Sequence, residues 1–264
     1  MEGMKGQFLF LGTGASMGTP VVTCRCAVCC SHDLRNHRMR PSGLMTVGRK
    51  RILFDAGPDF RTQALKHNLI DLDAVILTHT HFDHIAGIDD LRVFYFIHHQ
   101  TLSCLLSEES YEDLKLRYNY FFPKSHSPLT QPSRFNFHIL KDDFGHVEFQ
   151  DLQWDYLSYL QNNMKVTGYR LDTFAYVLDI REYSEKIVDA LKGVEVLILS
   201  ALREPSSPAH LSLNEAVDLS RKVGAKMTWL SHIAHDLEHK EVNQKLPSNI
   251  QLAYDGLEII FNVD

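Results

Sequence analysis

The chain has 264 residues, of which 44% are hydrophobic, so it has enough apolar material for one large core or two small ones. Its 27 Lys and Arg against 33 Asp and Glu give a formal charge of −6, which excludes a chain-wide basic surface for nucleic acid but leaves room for a local basic groove. The sequence lacks an apolar run of the roughly 18 residues expected of a membrane helix. Residues 8–11 are too short for a signal-peptide core, so we expect a cytoplasmic protein that does not associate with membranes.

The predicted elements are mostly short strands with helices placed outside them. Apolar or alternating runs bounded by turn residues predict strands at 7–11, 51–54, 74–78, 154–160, 174–179, 194–200, 226–230 and 257–261. Helical patterns occur at 60–66, 108–118, 184–191 and 213–223, the last opening with Ser212 and Glu215 in capping-box spacing. This grouping favours an α+β fold of packed sheets covered by helices over a simple βαβ repeat.

The sequence shows no linker that separates two folding units, so we expect one domain over residues 1–264. The least regular part is 97–144, which contains Pro123, Pro128 and Pro132. We expect this segment to be an irregular insertion that forms a lid or a dimer surface.

The strongest chemical signal is the segment 78–84, which reads THTHFDH and follows the apolar run AVIL. A strand end followed by a turn can direct alternate side chains into one pocket. Imidazole nitrogens together with carboxylate oxygens suit zinc, manganese or iron. The candidate ligands within six residues are His79, His81, Asp83 and His84. The simpler alternative is a polar loop whose histidines make surface hydrogen bonds.

The pattern HxHxDH after a strand, with FDAG at 54–57, resembles the metallo-β-lactamase superfamily of dinuclear metallohydrolases. The resemblance extends from Gly12 to Gly256 and implies an αββα sandwich of two packed mixed β-sheets flanked by helices. It also implies two divalent cations, zinc or manganese, in the active site. The metal ligands that it assigns are His79, His81, Asp83, His84, Asp179 and His232. Asp179 would bridge the two cations, and Asp55 would orient a ligand without binding metal itself.

Four of the five cysteines lie between residues 24 and 30, in the order CRCAVCC. The spacing CxCx2C supplies three thiolates of the four ligands that a structural zinc requires, and His235 is the candidate for the fourth. With the glycine-rich segment before it, this arrangement resembles the cyclic phosphodiesterases of the phosphonate-degradation (carbon-phosphorus lyase) pathway and their relatives. We therefore expect a short zinc ribbon with one structural zinc on Cys24, Cys26, Cys29 and His235. A group of buried thiols without metal is the alternative.

The sequence departs from the family pattern at one ligand of the first cation. The resemblance implies a histidine a few residues before a GYR-like segment, but upstream of GYR at 168–170 the chain reads LQNNM, with Gln161 at the expected position. An amide oxygen binds divalent transition metals more weakly than imidazole does. We therefore expect the first cation to be held weakly, by His79, His81 and Asp179 only. The second set is complete and consists of Asp83, His84, Asp179 and His232.

The resemblance implies a metal-dependent hydrolase, with a small cyclic or nucleotide phosphodiester attacked by a metal-activated hydroxide as the leading reaction. His210 precedes the capped helix and is assigned the leaving-group oxygen or the substrate phosphate, which places it with Asp83 among the catalytic residues. An exposed loop histidine is the alternative for His210.

Other functions fit the same motifs. The chain could be a domain that binds metal or nucleotide without turnover, because one ligand is replaced. It could also be a nuclease similar to tRNA 3′-processing enzymes, or a thioester or lactam hydrolase. The net charge makes nucleic acid the less expected partner. The aromatic residues at 118–122 offer a surface for a homodimer.

Overall fold

The computed structural model describes residues 4–122 and 132–263, and these residues form two β-sheets packed face to face. The strands are β1 (Met4–Gly12), β2 (Ser42–Val47), β3 (Lys50–Phe54), β4 (Ala74–Ile76), β5 (Leu102–Ser107), β6 (Phe135–Leu140), β7 (Phe144–Phe149), β8 (Leu152–Gln161), β9 (Met164–Leu171), β10 (Phe174–Val177), β11 (Val196–Ser200), β12 (Met227–Ser231), β13 (Ile250–Leu252) and β14 (Glu258–Val263). The α-helices are α1 (Phe60–Lys66), α2 (Phe82–Ile85), α3 (Arg92–His98), α4 (Glu108–Arg117), α5 (Glu185–Ala190), α6 (Leu213–Val223) and α7 (His239–Lys245). Within the described ranges, no helix is long and apolar enough to cross a membrane.

Both sheets are mixed. The first has the order β14-β1-β2-β3-β4-β5-β6, with antiparallel pairing up to β3 and parallel pairing from β3 to β6. The second has the order β13-β12-β11-β10-β9-β8-β7, and its parallel strands run from β10 to β13. Each parallel half therefore brings several strand ends to one edge of its sheet.

The core between the sheets is rich in aromatic side chains. Phe54 of the first sheet and Tyr176 of the second lie with their ring centroids 4.7 Å apart, and Phe8 and Trp154 are buried beside them. Burial of each such ring contributes roughly 1.5–3 kcal/mol. Helices α1, α3 and α4 pack on the outer face of the first sheet, and α5, α6 and α7 cover the second. The expected αββα sandwich is confirmed.

The segment 97–144 is more regular than expected. Strands β5 and β6 extend the parallel part of the first sheet, and α4 begins where Ser107 accepts a hydrogen bond from the Ser110 amide. The expectation of an irregular insertion is therefore wrong for the described residues of this segment. Pro123 and Pro128, two of the three prolines that suggested irregularity, lie outside the described residues. A role as lid or dimer surface stays a prediction.

Three of the predicted site residues follow strands and adopt left-handed backbone conformations. Asp55 follows β3, Asp179 lies two residues after β10, and His232 follows β12, each with φ of 57°. Such conformations are uncommon outside glycine and cluster at functional sites. In each case the chain turns sharply as it leaves the sheet, which places the side chain at the edge where the two sheets meet.

Candidate active site

The THTHFDH segment is fixed in place by the FDAG segment of the neighbouring strand end. The Thr78 amide donates to Asp55 Oδ1 at 2.8 Å, and the Thr78 hydroxyl donates to Asp55 Oδ2 at 2.9 Å. The backbones of the two segments also lie close together. A Cβ atom added to Gly57 would be 2.0 Å from the Asp83 carbonyl oxygen. The glycine in FDAG therefore permits a close approach that a larger residue would prevent.

Asp179 lies at the centre of the candidate site. Its Oδ2 atom is 2.8 Å from His84 Nε2 and 3.3 Å from His79 Nε2. Its Oδ1 atom is 3.2 Å from His232 Nε2 and 3.3 Å from His210 Nδ1. The carboxylate is 1% exposed, so it contacts four imidazoles in an environment that is nearly closed to solvent.

The remaining predicted ligands complete this group. Asp83 Oδ2 is 3.2 Å from His232 Nε2 and 3.6 Å from His84 Nε2. His81 Nδ1 lies 2.9 Å from His79 Nε2, and the His81 side chain is only partly buried. The structure thus brings together all six residues that the family resemblance assigned as ligands, together with His210. We call this group the histidine centre, with members His79, His81, Asp83, His84, Asp179, His210 and His232.

Burial and charge oppose each other in the histidine centre. Burial disfavours a charged His84 ring, but the surrounding carboxylates, Asp55 foremost, raise its pKa well above the usual value. Burial likewise opposes charge on Asp179, yet His232 and His84 hold the pKa of that carboxyl well below its usual range. For His79, burial dominates and lowers the pKa. The centre therefore favours ionised carboxylates beside a charged His84 ring and a neutral His79 ring.

The donor atoms fit divalent cations. Among the residues that the structure describes, Asp179 Oδ1, His84 Nε2 and Gln161 Oε1 are buried without a hydrogen bond of good geometry, despite their close neighbours. Buried polar atoms in such a state are costly unless something binds them. Imidazole nitrogens and carboxylate oxygens are ligands for zinc and manganese, and the centre offers both within 4.8 Å in three overlapping triplets.

Asp55 orients the His84 imidazole through the ring nitrogen that does not face Asp179. Its Oδ2 atom is 2.7 Å from His84 Nδ1, which leaves His84 Nε2 directed at Asp179. This is the carboxylate–histidine relationship found behind metal-binding imidazoles, in which the carboxylate fixes the ring and its tautomer. The Asp55 carboxylate and the Asp179 carboxylate thus contact opposite nitrogens of the His84 ring.

Gln161 and His210 contact each other. Gln161 ends β8 with 2% exposure, and its Nε2 atom is 3.2 Å from both ring nitrogens of His210. The His210 ring stacks on His232 at a centroid distance of 4.8 Å and its side chain is 17% exposed. His210 is therefore neither a free surface residue nor a helix cap, since Ser212 caps α6. It lies on the open side of the histidine centre.

The cysteines form a second cluster around His235. The His235 Nδ1 atom lies 3.3, 3.4 and 3.5 Å from the sulfurs of Cys24, Cys26 and Cys29, respectively. Backbone amides point at the sulfurs, as when the Cys29 amide donates to Cys26 Sγ at 3.4 Å. This bond and the nearby His235 lower the pKa of Cys26 to about 6. Three sulfurs and one nitrogen are a donor set for structural zinc, and Cys30 is exposed outside it.

Two residues that support the site were not among the predicted ones. Thr78 holds Asp55 with both its amide and its hydroxyl, and its place directly before the first histidine is the signal that identifies it. Tyr159 donates from its hydroxyl to the Leu178 carbonyl at 2.6 Å, just before Asp179. No pattern in the sequence distinguishes Tyr159 from other core aromatics, because its role depends on the pairing of two distant strands.

Fold and site together define a metallohydrolase of the αββα type, and comparison with known proteins gives the family. The model of the beta-lactamase superfamily domain matches residues 50–233. A solved structure described as a new diphosphatase from the PhnP family is 33% identical, covers 98% of this chain and 98% of its own, and superposes with a TM-score of 0.89. The chain belongs to the beta-lactamase superfamily and, within it, to the PhnP-like branch.

Two further proteins are matched by this chain over different shares of their own length. A protein of Porphyromonas gingivalis named octanoyltransferase is 34% identical over 257 residues, which are 96% of this chain and 51% of that protein. The chain thus spans about half the length of this curated relative. Human tRNase Z, short form, is 15% identical with a TM-score of 0.67 over 96% of this chain and 98% of its own, and shows the shared fold alone.

Proposed function

We propose that the protein is a metal-dependent phosphodiesterase that hydrolyses a small cyclic or nucleotide phosphodiester in the histidine centre. The observation that supports this most is the buried Asp179 carboxylate, which has imidazoles at 2.8–3.3 Å on both of its oxygens. A single carboxylate with histidines on each side suits two cations that share it. We expect a structural zinc in the cysteine cluster in addition.

The chain's own residues supply positioning and proton transfer. Bound divalent cations would neutralise charge on the phosphoryl oxygens and acidify a water molecule. Asp55 fixes the His84 ring, and Asp83 lies within hydrogen-bond distance of His232 on the other side of the centre. His210 is a partly exposed imidazole that is not one of the assigned metal ligands, so it is placed to donate a proton to the departing oxygen of the substrate.

Hydrolysis of a diphosphate linkage is the second candidate. The similarity to a PhnP-family diphosphatase over nearly the whole of both chains favours it. The chemistry is closely related, because both reactions displace an oxygen leaving group from phosphorus and require the same charge neutralisation. The two candidates differ in the leaving group, which is an alcohol in one and a phosphate in the other.

The test is a substrate panel on protein purified without added metal, with elemental analysis before and after reconstitution with manganese or zinc. The panel contains bis(p-nitrophenyl) phosphate, a 2′,3′-cyclic nucleotide, a dinucleoside diphosphate and a structured RNA. We expect about three metals per chain and turnover of the first two compounds. The Asp179→Asn variant, purified identically, controls for contaminating hydrolases.

Each other result assigns a different function. Turnover confined to the dinucleoside diphosphate would favour the diphosphatase. Cleavage of RNA alone would favour a nuclease. Retained metal with no turnover of any compound would mean a binding domain and would overturn the proposal.

A further inference from the structure

Gln161 departs from the family pattern, and its side chain makes a specific polar contact within the histidine centre. It is the last residue of β8, paired with Met164 across a tight turn, and its side chain points into the protein with 2% exposure. A buried amide needs an acceptor for its NH2 group and a donor or a cation for its carbonyl oxygen. The two ends of the Gln161 amide meet different surroundings.

The amide nitrogen is occupied. Gln161 Nε2 lies 3.2 Å from each ring nitrogen of His210, and an amide NH2 group only donates hydrogen bonds. It therefore faces whichever ring nitrogen carries a lone pair. His210 Nδ1 is also 3.3 Å from Asp179 Oδ1, although the two atoms do not form a hydrogen bond of good geometry. The His210 ring therefore lies between Gln161 Nε2 and Asp179 Oδ1.

The amide oxygen has no partner. Within the described part of the chain, Gln161 Oε1 is buried and accepts no hydrogen bond. A buried acceptor left unsatisfied costs about 1–3 kcal/mol, so a donor or cation that binds this oxygen would be stabilising. Rotation of the amide by 180° does not solve the problem, because it would leave the nitrogen unpaired instead. His210 therefore keeps the oxygen free for another occupant.

We propose that Gln161 Oε1 is a cation ligand in the histidine centre, with the contact between Gln161 Nε2 and His210 setting its orientation. This inference rests on the proposed metal-dependent function of the same centre. The ligands of the first cation are then His79, His81, Asp179 and Gln161.

The replacement changes which metal this position selects. With Gln161 the first set has two nitrogens and two oxygens, the same count as Asp83, His84, Asp179 and His232, but one carboxylate fewer. A histidine at position 161 would give three nitrogens and one oxygen. Oxygen donors suit manganese, whereas imidazole suits zinc, so the amide shifts the first position towards manganese and weakens its binding.

The test measures metal binding rather than turnover. Metal-free wild type and the Gln161→Leu, Gln161→His and Gln161→Glu variants are dialysed against equal, limiting manganese and zinc. Bound metals are then counted by elemental analysis and by the manganese electron paramagnetic resonance signal. The matched control is Gln153→Leu, the same exchange at an exposed position of the same strand.

We expect Gln161→Leu to bind one cation about tenfold more weakly, with the others unchanged. Gln161→His should shift the ratio of zinc to manganese upwards by about tenfold, and Gln161→Glu should restore manganese binding because it keeps the oxygen. If Gln161→Leu does not fold, the selectivity of Gln161→His decides the question.

Wild-type affinity and selectivity in all three variants would overturn the inference and would mean that water occupies the position. The outcome is separable from that of the proposed function. Normal metal binding without turnover in the wild type would overturn the function alone, whereas full turnover with unchanged binding in Gln161→Leu would overturn this inference alone.

Discussion

Asp55 Oδ2 and His84 Nδ1 lie 2.7 Å apart in a contact from which solvent is fully excluded. Asp55 has a left-handed backbone, and its other carboxylate oxygen is bound by the Thr78 amide. One residue therefore orients an imidazole of the histidine centre and anchors the start of the THTHFDH segment.

Asp55→Asn should weaken metal binding by about 10–100-fold, the usual cost of losing the residue behind a metal-binding histidine. Asparagine tolerates the left-handed backbone, so the change acts through the lost negative charge and one lost acceptor. Isothermal titration of metal-free protein measures the effect. Asp71→Asn is the control, because Asp71 is an exposed carboxylate that pairs with Arg51. Equal affinities in wild type and Asp55→Asn would contradict the role assigned to Asp55.

Cys26→Ser should remove one zinc per chain and lower the free energy of unfolding. The expected loss is about 2.7 kcal/mol when free zinc is a hundred times the dissociation constant. Chelator-linked release of zinc and chemical denaturation measure the two effects. Cys30→Ser is the matched control, since Cys30 is exposed outside the cluster. Retention of the zinc by Cys26→Ser would show that the metal is not held there.

His210→Ala should lower turnover by about 10²–10⁴-fold, the range for loss of a general acid or base. Metal content at saturation should hardly change, because His210 belongs to neither set of assigned ligands. Turnover and elemental analysis on the same preparation provide the comparison. His146→Ala serves as control, with a ring that is 84% exposed on β7. Undiminished turnover would remove His210 from the proposed mechanism.

Stability should fall on acidification partly because of His239. Burial and the adjacent Arg38, whose Nη2 lies 3.2 Å from His239 Nδ1, lower the pKa of His239 to about 4. In the unfolded chain the ring titrates near 6.5, so its contribution is fully present above that pH and is lost as the pH falls towards 4.

The difference in unfolding free energy between wild type and His239→Gln should therefore shrink by about 1 kcal/mol from pH 7 to pH 5, after allowance for solvent screening. Urea denaturation at the two pH values gives this number. Glutamine cannot be protonated yet still accepts from Arg38, so it isolates the titration. If the unfolding free energies of the two proteins change equally with pH, the pH dependence does not come from His239.

The sequence predicted the parts of the fold that local signals determine. Helices α1 and α6 begin and end where predicted, and α6 opens with the capping box of Ser212 and Glu215. Strand predictions extended too far where the chain leaves the sheet to form the site. Strand β4 ends at Ile76 because the Thr78 amide binds Asp55, and β10 ends at Val177 because Asp179 turns into a left-handed conformation.

The unpredicted parts depend on distant residues. Strands β5 and β6 are stabilised by pairing with β4 and with each other, which no local pattern reveals. In the candidate site, motif spacing identified the residues but not their contacts. The bond between Gln161 and His210 joins positions 49 residues apart and exists only once the second sheet has formed.

The cysteine cluster joins two distant segments, because Cys24 and His235 are 211 residues apart in sequence. Closing a loop of that length in a disordered chain costs roughly 5 kcal/mol of entropy, so the fourth ligand arrives only when the intervening sheets have already paired. The three thiolates therefore remain one ligand short until strands β2 to β12, which lie between Cys29 and His235, have formed. Completion of the cluster therefore reports that the greater part of both sheets has formed.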